Sequence, residues 1–216
     1  MEIKWIGHSC FKLQGKSISI VTDPFGDEVG FAMPKTSCNI LTISHDHFDH
    51  NNKAAVISDI VFDAAGEFEF KGTRIKGIRT FHDDEGGAKR GSNIMFLLVI
   101  DGLKILHCGD LGHSPNDNIL NSLGDIDVLL VPAGGNYTLP VAQAVELVHW
   151  LEPKVVIPMH YKVPGLKVDI APLDDFIKQL GTEGKDVGIL NISKTDLADD
   201  ITEVCILQPQ AVKTAV

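Results

Sequence analysis

Cysteine is sparse in this 216-residue chain, and the four present, Cys10, Cys38, Cys108 and Cys205, form no C-x-x-C pair. That spacing argues against a structural zinc knuckle or a thioredoxin-type motif. A chain this long needs no disulfide stapling, so reduced, mostly buried thiols are expected. Long apolar runs are missing too. The longest, such as Ile94–Ile100, fall far short of the ~20 residues that a membrane span needs. Residues 1–12 lack the charged start and long apolar stretch of a signal peptide, which makes a cytoplasmic protein the expectation. Positive charge is in deficit: 19 Lys+Arg against 29 Asp+Glu give a formal net charge of −10. Non-specific nucleic-acid binding relies on Lys and Arg against phosphate, so it is not expected to be the main work of this chain; a local basic patch stays open. No repeat, low-complexity block or long linker is visible.

What is present can fold. Hydrophobic residues make up 44% and charged residues 22%, an ordinary globular balance that can bury a core. The first half reads as strands: Glu2–Ile6 and Cys10–Leu13 around Gly7-His8-Ser9, then Ser17–Thr22 closed by Asp23-Pro24, and Asn39–Ser44. Asn52–Ser58 is expected as a short helix with a strand at Ile60–Phe62, and Gly72 sits in a hairpin between Glu67–Phe70 and Thr73–Phe81. Asn93–Ile100 and Lys104–Leu106 flank the turn Asp101-Gly102. The second half alternates. Helices are expected from Ser114-Pro115-Asn116 to near Gly124, over Val141–Leu151, and over Pro172–Leu180 with Gly181 closing it. Strands are expected at Val128–Val131, Val155–Ile157, Val187–Ile192 and Val204–Leu207. Two sheets covered by helices, with a site along one rim where the histidines cluster at strand ends, fit this order.

The chemistry is concentrated in Ser44-His45-Asp46-His47-Phe48-Asp49-His50, an H-x-H-x-D-H pattern after an apolar strand. Neutral imidazoles and carboxylates suit zinc and other first-row divalent ions. In an extended segment alternate residues share a face, so His45 and His47 can converge on one ion, and Asp49 and His50, past a bend, can reach a second. A solvated polar loop is a poor account of so many ligand types directly after a buried strand.

This pattern resembles the signature of the metallo-β-lactamase superfamily. Further segments carry the resemblance: Thr80-Phe81-His82, His107-Cys108-Gly109-Asp110-Leu111-Gly112 and Ile157-Pro158-Met159-His160-Tyr161, in the family's order and covering Ile3 to about Leu207. Gly7-His8-Ser9, Val131–Gly135 and Pro158–Tyr161 resemble the branch of small Zn-dependent hydrolases that includes ascorbate-6-phosphate lactonase-like proteins. The resemblance implies an α/β fold, an αββα sandwich of two mixed β-sheets flanked by helices, as a single domain over residues 1–216. It implies two divalent ions, zinc in the first instance with manganese or iron as alternatives. One would be held by His45, His47 and His82, the other by Asp49, His50 and His160, with Asp110 bridging them. Asp49 and Asp110 would be the catalytic carboxylates, and a hydroxide held between the ions the nucleophile. Bound divalent ions lower the pKa of water from about 15.7 toward ~7, which makes such a nucleophile available.

Several residues keep two readings at this stage. His82 could be a turn histidine beside Asp83 and Asp84, and Asp110 a turn carboxylate. His107 lies inside a strand and is expected to pack or to support the ligands from behind. His149 is expected on a surface or in the core, away from the site. Asp23 resembles the family's Asp that orients the histidine loop, or is a turn Asp before Pro24. His8, in the first hairpin connection, and Arg90, in a glycine-flanked loop, are candidates for contacting substrate; a solvated basic turn is the alternative for Arg90. Tyr137 and Tyr161 are pocket walls or core. The function implied is hydrolysis of a small, possibly anionic ester, lactone or phosphodiester-like substrate. A nuclease would need a strip of Arg74, Lys76, Arg79, Lys89 and Arg90, and an iron-dependent oxidoreductase or other non-hydrolytic metal protein is the third reading. No nucleic-acid or membrane partner is expected, and a homo-oligomer stays open.

Overall fold

The computed structural model describes residues 1–198 and 202–212. In chain order the elements are β1 (Glu2–Gly7), β2 (Cys10–Gln14), β3 (Ser19–Thr22), β4 (Thr36–Thr42), β5 (Val56–Phe62), β6 (Gly66–Phe70), β7 (Thr73–Phe81), β8 (Ser92–Ile100) and β9 (Leu103–His107). They continue with α1 (Asp117–Leu123), β10 (Val128–Pro132), α2 (Val141–Leu151), β11 (Val155–Met159), α3 (Asp174–Leu180), β12 (Lys185–Val187), β13 (Leu190–Asn191) and β14 (Glu203–Leu207). The strands form two mixed sheets, ordered β13-β1-β2-β3-β4-β5 and β12-β14-β11-β10-β9-β8-β7-β6. This is the mixed α/β, two-sheet architecture expected. Its helices are few: among the described residues the α-helices all follow β9, and α2 packs on β10 and α3.

Local sequence explains the elements. Every residue of β10 and β11 is buried, as the apolar runs of parallel central strands require. Asn116 caps α1 by accepting the Ile119 N–H at 3.0 Å, a contact worth about 1 kcal/mol. Helical spacing buries Ala144, Val145, Leu147 and Val148 on one face of α2. Gly181 ends α3 in the left-handed region at φ 74°. Trp5, Phe11, Phe25 and Phe96 are fully buried, and each such side chain contributes roughly 1.5–3 kcal/mol relative to exposure.

Two expectations are corrected. The helix over Asn52–Ser58 is a single 3-10 turn, Lys53–Ala55, followed directly by β5. Val56, Ile57, Ile60 and Val61 are β-branched and pair alongside β4 from Thr36↔Val56 to Thr42↔Phe62, which suits a pleated edge better than a helix. The strand expected over Val187–Ile192 is two. β12 pairs with β14 of the second sheet and β13 with β1 of the first, so the chain changes sheets across Gly188-Ile189. No helix among the described residues is long and apolar enough to cross a membrane.

The strand directions gather the chemistry. β3 runs parallel to β4, and β9, β10 and β11 run parallel to one another. β7 and β9 both run antiparallel to β8, so β7 points the same way as β9. The carboxyl ends of β7, β9 and β11 therefore open toward one rim, where the segment after β4 meets them. There the sheets are tied together by the Ile94 N–H donating to Ser44 O at 2.9 Å and the His160 N–H donating to His8 O at 3.1 Å.

Candidate metal centre

The histidine loop leaves β4 at Ile43 and turns back where the His50 N–H donates to His47 O at 3.0 Å. Its base is held by Asp23, fully buried at the end of β3. One carboxylate oxygen accepts the Ser44 N–H at 2.8 Å; the other accepts the Ser44 hydroxyl at 2.5 Å and pairs with His50 Nδ1 at 2.9 Å. Ser44 Oγ also lies 2.9 Å from His45 Nδ1. Asp23 is thus the buried anchor of the loop, not a turn residue facing solvent.

Asp110 enters from the second sheet, on the segment after β9. Gly109 has φ 55°, and a Cβ there would lie 2.4 Å from Asn93 Oδ1, so this approach is open only to glycine. The same Asn93 oxygen accepts the Asp110 N–H at 3.0 Å. The carboxylate is buried in the middle of the histidines. Its Oδ2 is 3.2 Å from both His82 Nε2 and His160 Nε2 and 4.0 Å from His45 Nε2, while Oδ1 is 3.2 Å from His50 Nε2. His82 and Asp110 are therefore part of the cluster and not isolated turn residues.

The potential donor atoms fall into groups within 4.8 Å of one another: His45, His47 and His82 in one, His8, Asp49, His50 and His160 in another. A third such grouping, Asp23, His45 and His50, overlaps them through the loop anchor. Among these donors His45 Nε2, His50 Nε2 and Asp110 Oδ1 are buried without a hydrogen-bond partner. Buried polar atoms are rarely left so unless something else engages them. Converging imidazoles and carboxylates with bare atoms fit a divalent ion.

Electrostatics keep most of the donors in the form that binds metal. Burial pushes His45 down to about 3 and His8 down to about 4, and it lowers His47 as well, so these rings are neutral. Burial alone would raise the Asp49 and Asp110 carboxyls, but His50 outweighs it at Asp49, and His160 and His50 at Asp110, holding both well below the carboxylate range. His50 is the exception. Burial would lower it, yet Asp110 and Asp49 beside it raise it well above its ordinary value.

A cavity of about 390 Å³ opens over the cluster, with His47, Asp49, His82, Asp110 and His160 in its floor and Phe48, Arg90, Tyr137 and Lys167 among its walls. Arg90 lies 5.5 Å above the Tyr137 ring. It is held there by a loop wound round Asp83, whose carboxylate accepts the N–H groups of Glu85, Gly87, Lys89 and Arg90 at 2.7–3.0 Å. Arg90 thus faces the cavity. His8 does not: it is fully buried, with Nε2 3.1 Å from Asp49 Oδ2. The expectation that His8 meets substrate is corrected to a place among the donors, because its left-handed backbone (φ 52°) turns the ring inward. His107 is packed, His149 is exposed on α2, and Tyr161 is core, 5.1 Å from the Trp5 ring. Sequence reasoning missed Lys167, Asp83 and Asn93. Nothing local marks Lys167, although Asp83 next to His82 and the glycines after it are a visible loop signal. The nuclease strip does not assemble. Arg74 and Arg79 fall on opposite faces of β7 by alternation, and Lys76 and Lys89 pair with Glu67 at 3.8 Å and Glu85 at 2.7 Å.

Comparison with known proteins agrees with this geometry. The model of the beta-lactamase superfamily domain matches residues 2–160, the stretch that carries every donor above. The chain belongs to the beta-lactamase superfamily. Among superfamily members, a UPF0173 metal-dependent hydrolase of Thermoplasma acidophilum is 29% identical over 187 residues, covering 74% of this chain and 83% of that protein. A solved structure from Thermotoga maritima, assigned as a Zn-dependent hydrolase of the metallo-beta-lactamase superfamily, is 37% identical with a TM-score of 0.79, covering 96% of this chain and 99% of that one. The metallo hydrolase Igni18 of Ignicoccus hospitalis shares the fold at 21% identity and a TM-score of 0.67, covering 96% of this chain and 95% of its own.

Proposed function

We propose that this chain, a metal-dependent hydrolase of the metallo-beta-lactamase superfamily, works with two divalent ions and cleaves an ester, lactone or phosphodiester-like bond in a small anionic molecule. His45, His47 and His82 would hold one ion, Asp49, His50 and His160 the other, and Asp110 would lie between them. The observation that carries this reading is the placing of Asp110, with one oxygen 3.2 Å from both His82 and His160. Two ions in such a site supply a nucleophile from water at neutral pH and polarise the scissile bond; zinc is the metal expected.

The residues of the chain do the rest. Asp110, kept ionised, sits where it can take up the proton that the attacking water gives up and return it to the departing oxygen. Against four positive charges on two dications, Asp49 and Asp110 leave the floor cationic, which favours an anionic substrate despite the acidic chain. Arg90 and Lys167 on the cavity wall offer cationic contacts, with Glu28 and Asp169 on the same wall balancing their charge. The cavity volume of about 390 Å³ suits a small molecule. The test is metal analysis of protein purified without added metal, joined to a panel of lactones, esters and phosphodiesters with and without chelator. Two ions per chain and chelator-sensitive hydrolysis are expected. Hydrolysis that survives complete metal removal overturns the reading.

A further inference from the structure

The two groups of donors are unequal. His47 is exposed and lines the cavity with His82, and from the other group Asp49 and His160 line it as well. Asp49, His50 and His160 are buried, and His8 beside them is fully buried. His8 Nε2 is 3.1 Å and His50 Nε2 3.7 Å from the same oxygen of Asp49. Those separations match the edges between neighbouring donors that each sit about 2.0–2.2 Å from one ion. The His8 ring centroid is 4.2 Å from that of His160 and 5.2 Å from that of His50.

The backbone is arranged to bring this about. His8 and His160 both adopt left-handed conformations, at φ 52° and 51°, which non-glycine residues enter at a cost and which recur where function demands them. The two turns are bonded directly, His160 N–H to His8 O at 3.1 Å, and the Trp5 indole donates to the same carbonyl at 2.9 Å.

We propose that His8 is a further protein ligand of the buried ion, joining Asp49, His50, His160 and the shared Asp110. The two ions are then held differently: the buried one has one more protein donor and is retained longer, and the one on His45, His47 and His82 is released sooner. The inference rests on the two-ion reading above and adds to it a residue and an order of release.

The test uses the full chain stripped of metal, reloaded with Co(II) and challenged with EDTA, following metal content and visible absorption. Wild-type protein should release two ions in two phases, the slower at least about tenfold slower. His8→Asn and His8→Gly both tolerate the left-handed backbone. Either should abolish the slow phase, change its cobalt absorption and weaken that ion by about 100-fold or more, beyond the 10- to 100-fold typical of a residue that only orients a ligand. Added imidazole should restore the slow phase in His8→Gly, a rescue that a folding defect would not give. His47→Asn should remove only the fast phase. Wild-type protein that binds fewer than two cobalt ions overturns the two-ion reading itself. Two ions with a single release phase, or a slow phase and spectrum in the His8 variants like those of wild type, overturn this proposal alone.

Discussion

Asp23 receives the Nδ1–H of His50 at 2.9 Å, and this bond decides which nitrogen of His50 is left for a metal. With Nδ1 committed to the carboxylate, Nε2 points at Asp110. The arrangement extends one step further. Ser44 donates its hydroxyl to Asp23 and so presents its oxygen as an acceptor to His45 Nδ1, which leaves His45 Nε2 bare as well. One buried carboxylate on the first sheet thereby sets the tautomers of two imidazoles.

Asp23→Asn should therefore cost metal affinity without removing any ligand. The amide cannot accept from both Ser44 and His50 with both of its polar atoms, so the orientation of His45 and His50 loosens. A 10- to 100-fold weaker binding is expected, read by metal content after dialysis against graded chelator. Affinity equal to wild type would show that the loop is held by its backbone alone.

Asp110→Asn should differ in kind, because it lies between the groups. His82, His160 and His50 each approach its carboxylate to 3.2 Å. Losing its charge weakens both ions together, whereas His47→Asn empties only one site. Metal counts per chain distinguish the two patterns: a variant at Asp110 that loses one ion and keeps the other at full affinity contradicts a bridging place.

Much of this centre was legible in the sequence because ligand chemistry is carried by residue type. His45, His47, Asp49 and His50 lie within six residues of one another, and His82, Asp110 and His160 each stand just past the end of a strand. What escaped was set by distance in the chain or by context. His8 meets Asp49 across 41 residues, so its local setting suggested a loop open to substrate. Lys167 lines the cavity from a segment whose Lys167 N–H donates to Val29 O, at 2.7 Å, far back in the chain. The short segment Val56–Phe62, interrupted by Ser58-Asp59, carried no periodicity long enough to separate helix from strand; pairing with β4 settled it.

Acid should destabilise the protein partly through His107. In the neutral ring, Nε2–H donates to Ser9 O at 2.8 Å and Nδ1 accepts the Gly109 N–H at 3.2 Å. A second proton would set Nδ1–H against Gly109 N–H in a buried place, and burial already lowers the pKa of this residue below its ordinary value. The unfolded chain takes up the proton near pH 6.5, before the folded one, so this contribution is present above that pH and is lost as pH falls toward the folded value. His107→Gln keeps one donor and one acceptor but does not titrate. Denaturant unfolding from pH 7.5 to 5 should show a shallower loss of stability in the variant; parallel curves would remove His107 as a cause.

Substrate charge provides the last expectation. Arg90 is held over Tyr137 at the cavity wall by a loop whose N–H groups converge on Asp83. Burial would raise the Asp83 carboxyl, but those four N–H bonds outweigh it and hold it down to about 2, so the anchor stays ionised at any working pH. An anion entering the cavity can meet Arg90 and Lys167, which line it together with Glu28 and Asp169. Such contacts form in the ground state and persist in the transition state, so Arg90→Ala should raise KM for an anionic substrate and leave kcat and metal content unchanged. A lost charge-assisted contact of roughly 1.5–3 kcal/mol corresponds to about tenfold to hundredfold in kcat/KM. Asp83→Ala should produce a similar though smaller change, because it frees the loop while leaving Arg90 in place. A neutral substrate of the same shape should be insensitive to both substitutions. Equal losses on neutral and anionic substrates would mean that the loop shapes the cavity and that Arg90 does not read charge.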